Sequence, residues 1–217
     1  MKKLILFGAS NFGDEIVQLF RDINEKRTPE EWEIVGFLDD NKDLIGKIRN
    51  GIEVLGTKEW VTHNNIDDIY FVCCIGNPKA KKSVVAYLSS FRVKFASGIH
   101  PSVIISRTST IGIGTVITAG NIITTNIIIG DHVILNLACT IGHYSKIANY
   151  CTINPGVNIS GDVTLEEGAS LGTNATILEK MRVGSQSIIG AGAVVNKNIP
   201  SNVTAVGIPA KIIKQHI

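Results

Sequence analysis

The amino-acid sequence predicts an α/β unit followed by a parallel β-helix, and three observations predict it. Residues 1 to 98 alternate apolar strand patterns with amphipathic helical ones. From Ile105 to Val195, every sixth residue is Ile, Leu or Val. Between the two regimes, Gly98 and Pro101 in "SGIHPSV" break the alternation, which places the boundary at 98/99 and gives a second domain of residues 99 to 217.

The first element is "KLILFGAS", an apolar strand that enters a glycine turn. With the two lysines before it, the segment has the charge and apolar core of a weak signal peptide. Its apolar stretch is too short for one and runs directly into a loop and a helix, so it reads as a buried strand. "GDEIVQLFRDINEK" has amphipathic helical spacing, "EIVGFLDD" is a second strand ending in paired acids, and "DIYFVCCIGN" is a third that leads into a helix from Lys79 to Ser90. Strands joined by helices make a small Rossmann-like parallel unit. "GASNFG" and "IGN" fall at strand ends, where open α/β sheets bind ligands and where backbone amides of a following helix can meet a phosphate. Gly8 and Gly13 give GxxxxG without the middle glycine of GxGxxG, so a nucleotide pocket and a plain strand-to-helix turn both remain open. Asp39 and Asp40 are candidates to accept hydrogen bonds from a ribose or base, or form a solvated turn. The unit is short for a full dinucleotide fold, which favours a mononucleotide or nucleotide-sugar site.

The second half follows from its period. A helix repeats at 3.6 residues and an ordinary strand at 2, so a strict six means a short strand, a corner and a return to the same inward direction. Two positions before each aliphatic the residue is usually small, as in Ser109, Thr115, Cys139, Ser145, Cys151, Ala169, Ala175 and Ala193, which suits an inward site beside a tight corner. Gly112, Gly130, Gly142, Gly172, Gly184 and Gly190 follow many of the aliphatics and are expected to supply backbone freedom there. The chain is coiling.

Composition narrows the function. Lys and Arg exceed Asp and Glu by only two, with no basic run, which argues against nucleic acid or an anionic membrane as partner. No uninterrupted apolar segment approaches bilayer length, so a cytoplasmic protein is expected. Cys73, Cys74, Cys139 and Cys151 form no CxxC pair and read as reduced core thiols, the last two facing inward; no metal is expected.

His143 lies two residues after inward-facing Ile141, near a corner and facing out. One coil later, at a spacing of 18 residues, comes Gly161 in "NISGDV". A solvated or interface histidine is the plain reading, and acyl transfer is the chemical one. An acceptor amine or hydroxyl attacking a thioester must lose a proton, which imidazole can take near neutrality. The tetrahedral intermediate carries negative charge that a glycine N–H can approach without side-chain obstruction. His143 would be the base and Gly161 the oxyanion donor.

In order along the chain, "LFGASNFGDEI", "VGFLDD", "CIGN", "IHPSVIIS", "TIGHYSKI", "INPGVNISGDV", "IIGAGAVVNKNIP" and "AVGIPAKII" resemble the sugar acyltransferases of the NeuD and PglD type. The resemblance covers nearly the whole chain and implies a left-handed β-helix of hexapeptide repeats, three hexads per triangular coil. Residues 105 to 195 then make about five coils, roughly 24 Å tall at ordinary strand spacing. It further implies a homotrimer with active sites between subunits, acetyl-CoA as co-substrate along the β-helix, and the catalytic histidine at His143. Ser10, Asn11, Phe12, Asp39, Asp40 and Gly76 would border the nucleotide sugar, and Thr152, Gly161 and Thr173 the coenzyme path. The chain departs from the family pattern at Tyr144, where an acid often follows the histidine, and at Thr152, where many members carry a second histidine.

The expected reaction is N-acetylation of a nucleotide-linked amino sugar for surface glycan synthesis, with O-acetylation of sialic acid or another sugar as the alternative. Two rivals come from other classes. A γ-type carbonic anhydrase uses this β-helix but needs three converging histidines, whereas the repeat offers His132 and His143. A non-catalytic nucleotide-sugar-binding trimer would leave the His143 and Gly161 stack without a purpose. His100 reads as a domain-junction residue, and His63, His132 and His216 as solvated.

Overall fold

Leu4, Ile5, Leu6 and Phe7 are buried, as a strand covered on both faces requires. They lie on β1 (Lys2–Phe7), which pairs in parallel with β2 (Trp32–Leu38) on one side and β5 (Ile69–Cys73) on the other. The remaining elements are α1 (Asn11–Glu25), β3 (Ile48–Arg49), β4 (Ile52–Gly56), α2 (Pro78–Ser89) and β6 (Lys94–Phe95), with short 3-10 helical turns at Lys42–Leu44 and Lys58–Thr62. The sheet order is β3-β4-β2-β1-β5-β6. In α1, Ile16, Val17, Leu19, Phe20 and Ile23 form one apolar stripe, all buried. Helix α2 opens on Pro78, one residue before the expected start, where a missing N–H costs nothing. The β3–β4 hairpin was not expected. Its sequence signal is Asn50-Gly51, both at positive φ (+46° and +78°), the pair that a tight two-residue hairpin turn favours.

This computed structural model describes residues 1–216. Backbone packing divides it into two compact units, one of Met1–Gly76 with Ala80–Pro101, the other of Asn77–Lys79 with the residues from Ser102 onward.

The second unit is a left-handed parallel β-helix of two-residue strands on three faces. Each strand pairs with the one 18 residues on: Thr140 with Asn158, Lys146 with Thr164, Thr152 with Ser170. The sixth-residue aliphatics line the interior, and those from Ile117 onward are buried, whereas Ile105, with no coil beneath it, is 36% exposed. Each fully buried aliphatic contributes about 1.5–3 kcal/mol. After the coils, Val203–Val206 and Lys211–Gln215 pair as an antiparallel ribbon.

The small residues before the aliphatics do more than leave space. Ser145 Oγ donates to the Ser160 carbonyl (3.0 Å) and accepts from the Val163 N–H (3.3 Å). Thr115 and Ser187 make the same pair of bonds to Gly130 with Val133 and to Pro200 with Val203. Cys139 and Cys151 sit inward as expected and donate to the carbonyls of Asn154 and Glu166. These side chains satisfy buried main-chain groups at each corner, which is why polar residues are tolerated at such depth.

The glycines correct the sequence reading. Gly112, Gly130, Gly142, Gly172 and Gly184 do not occupy the positive-φ region. A Cβ on Gly142 would lie 2.5 Å from the Ser160 carbonyl carbon and 2.6 Å from the Gly161 nitrogen, so close approach of the next coil, not conformational freedom, excludes a side chain. Positive φ falls instead three residues after each aliphatic from Ile111 to Ile189, at Gly114, Gly120, Gly156, Gly168 and Gly192 but also at Asn126, His132, Ala138, Tyr144, Tyr150, Asp162, Asn174, Lys180 and Gln186.

Candidate active site

The corner after Ile141 carries His143. Its backbone is pinned on both sides: its carbonyl accepts the Asp162 N–H at 2.8 Å, and the next N–H, of Tyr144, donates to the Thr125 carbonyl at 3.0 Å. The side chain is exposed and its ring lies against Gly161 of the following coil. A Cβ on Gly161 would fall 2.3 Å from His143 Cε1, 2.6 Å from Nε2 and 2.8 Å from Nδ1, so the imidazole occupies the space that glycine leaves open. The Gly161 N–H meets no acceptor among the described residues, while its carbonyl accepts from Lys180. An imidazole and an unpaired amide thus lie side by side at one corner, with Gly161 itself buried beneath the ring. No side chain among the described residues hydrogen-bonds the His143 ring; its ring neighbour is Tyr144, edge-to-face at 5.9 Å.

Thr173 is exposed on the preceding corner column, so it and His143 border opposite edges of the face that carries Thr140 and Asn158. Thr152 lies on a different face, in the strand Thr152–Ile153, and is 5% exposed. On the other side of the His143 corner, the face bearing Ile128, Lys146 and Thr164 holds an open cleft of about 430 Å³ that also reaches Glu166 and Ser185. Arg182 and the Ser185 N–H hold Glu166 there, and the Arg182 hydrogen bond, followed by those of Ser185, keeps its carboxyl below the ordinary glutamate value.

In the N-terminal unit, Gly8 at φ +112° ends β1, and a Cβ on Gly13 would lie 2.2 Å from the Gly8 carbonyl oxygen. The two glycines of "GASNFG" therefore let α1 start hard against the strand end. Ser10 is the residue before α1, exposed, and its hydroxyl caps no helix N–H. Asp39 braces the loop, accepting from the Ala9 N–H at 2.8 Å and the Asn41 N–H at 2.8 Å. Asp40 pairs with Lys58 at 2.8 Å, and that hydrogen bond raises the Lys58 pKa. Asn11 accepts from Arg49, which also pairs with Asp14 at 2.7 Å. Phe12 is half-buried and Gly76 exposed with nothing within 4 Å of its Cβ position. Ser10, Asn11, Asp39 and Asp40 are thus gathered at the strand ends around the start of α1. Sequence reasoning missed Lys58 and Arg49; the Asn50-Gly51 turn was the available signal for the hairpin that delivers Arg49.

The remaining histidines divide. His132, expected in solvent, is 4% exposed: its ring stacks on Tyr150 at 5.5 Å and fills the space above Gly114, where a Cβ would be 2.3 Å from its Nδ1. His216 is half-buried and bonds Thr204, whereas His63 is exposed. His100 meets Asp22 at 3.1 Å. Among the described residues, no group of three or more His, Cys, Asp and Glu side chains is placed to hold a metal ion, and no helix is long and apolar enough to cross a membrane.

Residues 3–88 match the PglD N-terminal domain family. The acetyltransferase domain of PglB from Neisseria gonorrhoeae FA1090, solved in complex with acetyl coenzyme A, superposes with a TM-score of 0.88 at 29% identity, covering 98% of this chain and 99% of that one. Over residues 3–88 the chain belongs to the PglD N-terminal domain family, and along nearly its whole length it is similar to NeuD/PglD-type acyltransferases. Two curated members of this NeuD/PglD-type family align with it. GDP-perosamine N-acetyltransferase of Escherichia coli O157:H7 is 30% identical over 145 residues, 67% of this chain and 64% of that protein. UDP-N-acetylbacillosamine N-acetyltransferase of Bacillus subtilis (strain 168) is 38% identical over 73 residues, 30% of this chain and 34% of that protein. The chain therefore spans less than two thirds of the length of these curated relatives.

Proposed function

We propose that the protein transfers an acetyl group from acetyl-CoA to the amine of a nucleotide-linked amino sugar. The observation that carries this reading is the His143 imidazole seated on Gly161, whose N–H has no acceptor among the described residues. The sugar amine attacks the thioester carbonyl as His143 takes its proton. The new C–N bond forms, the carbonyl oxygen becomes an oxyanion facing the Gly161 N–H, and collapse breaks the C–S bond to release coenzyme A, which accepts a proton. No enzyme nucleophile is needed, and the four cysteines are buried away from this chemistry.

The relatives that act on GDP-perosamine and UDP-N-acetylbacillosamine support a nucleotide amino sugar as acceptor, and the PglB complex supports acetyl-CoA as donor. Ser10, Asn11, Phe12, Asp39, Asp40 and Gly76 would receive the nucleotide, with Asp39 as loop brace. Thr173, across the Thr140 and Asn158 face from His143, would flank the coenzyme, whereas Thr152, 5% exposed on another face, would not meet it there. The working form is a homotrimer in the cytoplasm; outward-facing Ile104 (65% exposed), Ile122 (41%) and Ile128 (52%) offer apolar surface for a second copy to cover.

The test is thiol release from acetyl-CoA with a panel of UDP-, GDP- and dTDP-linked amino sugars. At least one acceptor turns over, and His143→Ala lowers kcat about 10²- to 10⁴-fold. A folded His143→Ala variant with undiminished turnover refutes the assignment of the base.

A further inference from the structure

We infer that Tyr144 is a positioning residue for His143, its ring contact steering an imidazole that no side chain among the described residues hydrogen-bonds; this rests on His143 acting as the base. Two observations meet at this residue. Tyr144 sits at φ +58°, a backbone region that L residues enter at a cost and that glycine or asparagine adopts more readily. Asn126 occupies this same corner one coil earlier at φ +58°, and Asn174 the equivalent place on the preceding corner column at φ +57°, so asparagine fits such a corner. Local backbone preference therefore argues against tyrosine, which is also 58% exposed and so is not retained for burial.

What the tyrosine does provide is a ring contact. Its centroid lies 5.9 Å from that of His143 at an interplanar angle of 78°, an edge-to-face pair. Tyr150, the other tyrosine at a coil corner with positive φ, also has a histidine as ring partner: it stacks on His132 at 5.5 Å. In both cases a strained backbone accompanies an imidazole contact. For His143 the consequence is larger, because Gly161 limits the ring on one side, its backbone is fixed by the Asp162 and Thr125 hydrogen bonds, and no side chain among the described residues hydrogen-bonds it. The Tyr144 ring is then the side-chain contact that selects among the imidazole's remaining rotamers.

The test compares Tyr144→Asn and Tyr144→Phe in the full chain. Asparagine relieves the corner and removes the ring, so melting temperature rises by about 2 °C while kcat falls about 3- to 10-fold with the acetyl-CoA KM unchanged. Phenylalanine keeps the ring and restores kcat. Independently of turnover, the His143 Cε1 proton loses its aromatic ring-current shift in Tyr144→Asn and keeps it in Tyr144→Phe. Wild-type kcat in Tyr144→Asn, or melting temperature and kcat falling together, overturns the inference while an inactive His143→Ala leaves the base assignment standing. Full turnover in His143→Ala removes both.

Discussion

Replacing Gly161 by alanine isolates the geometry on which the chemistry turns. Gly161 is not in the positive-φ region, so alanine meets no backbone penalty there. The three nearest atoms its Cβ would meet all belong to the His143 ring, the closest at 2.3 Å against an ordinary contact of 3.4 Å or more. The ring must retreat by the difference, about 1.1 Å, and because the side chain is exposed it can do so with little loss of stability. A displacement near 1 Å at a reacting group lowers rate about 10²-fold, equivalent to about 2.7 kcal/mol of activation free energy. The expected result is kcat down about 100-fold at saturating acetyl-CoA with thermal unfolding within about 2 °C of wild type. Gly142→Ala is the contrast: its Cβ would strike backbone of the next coil at 2.5 Å, which cannot swing away, so stability falls first. A Gly161→Ala variant with wild-type kcat would refute the reasoning, because the imidazole would then work from a different position.

Three further outcomes follow from the fold. Ile153, fully buried in the prism, costs about 2–5 kcal/mol when replaced by alanine, measured by chemical denaturation; an unchanged midpoint would contradict its inward placement. Glu166 has its folded pKa lowered, chiefly by Arg182, so its contribution to stability is present above the usual glutamate value of 4.5 and is lost as pH falls through the folded value. Glu166→Gln should flatten the decline in melting temperature below about pH 4.5, and an identical acid profile would show the pair contributes nothing. Burial pushes Cys73 and Cys139 up to about 11, and all four thiols are buried, so native protein should resist a thiol reagent at pH 8 until it is denatured; rapid native labelling would refute that.

The hexad was legible because an interior of stacked triangles admits one side-chain direction every six residues, and the same arithmetic put His143 beside Gly161. The period does not state why a glycine is a glycine. Gly142 avoids a backbone collision and Gly156 adopts φ +71°, yet both look alike in a sequence. The burial of His132 was hidden for a related reason, since it depends on Gly114 and Tyr150, each 18 residues away, combining into one column. In the first unit, β1, β2, β5 and the two α-helices followed from patterning, while β3, β4 and β6 did not. Arg49 and Lys58 did not, because long cations on a hairpin and a short helical turn carry no periodic signal, and their partners Asp14 and Asp40 are set by tertiary placement.

The hydroxyl of Ser145, joined at once to a carbonyl 15 residues ahead and an amide 18 ahead, implies a quantum of length. Lengthening or shortening the chain by anything other than a whole turn would leave such a rung without its two mates and rotate every later aliphatic off the axis. Divergence within this architecture is therefore expected to proceed by complete turns or by excursions that leave and re-enter at a vertex, with the bonded lattice passed on unaltered.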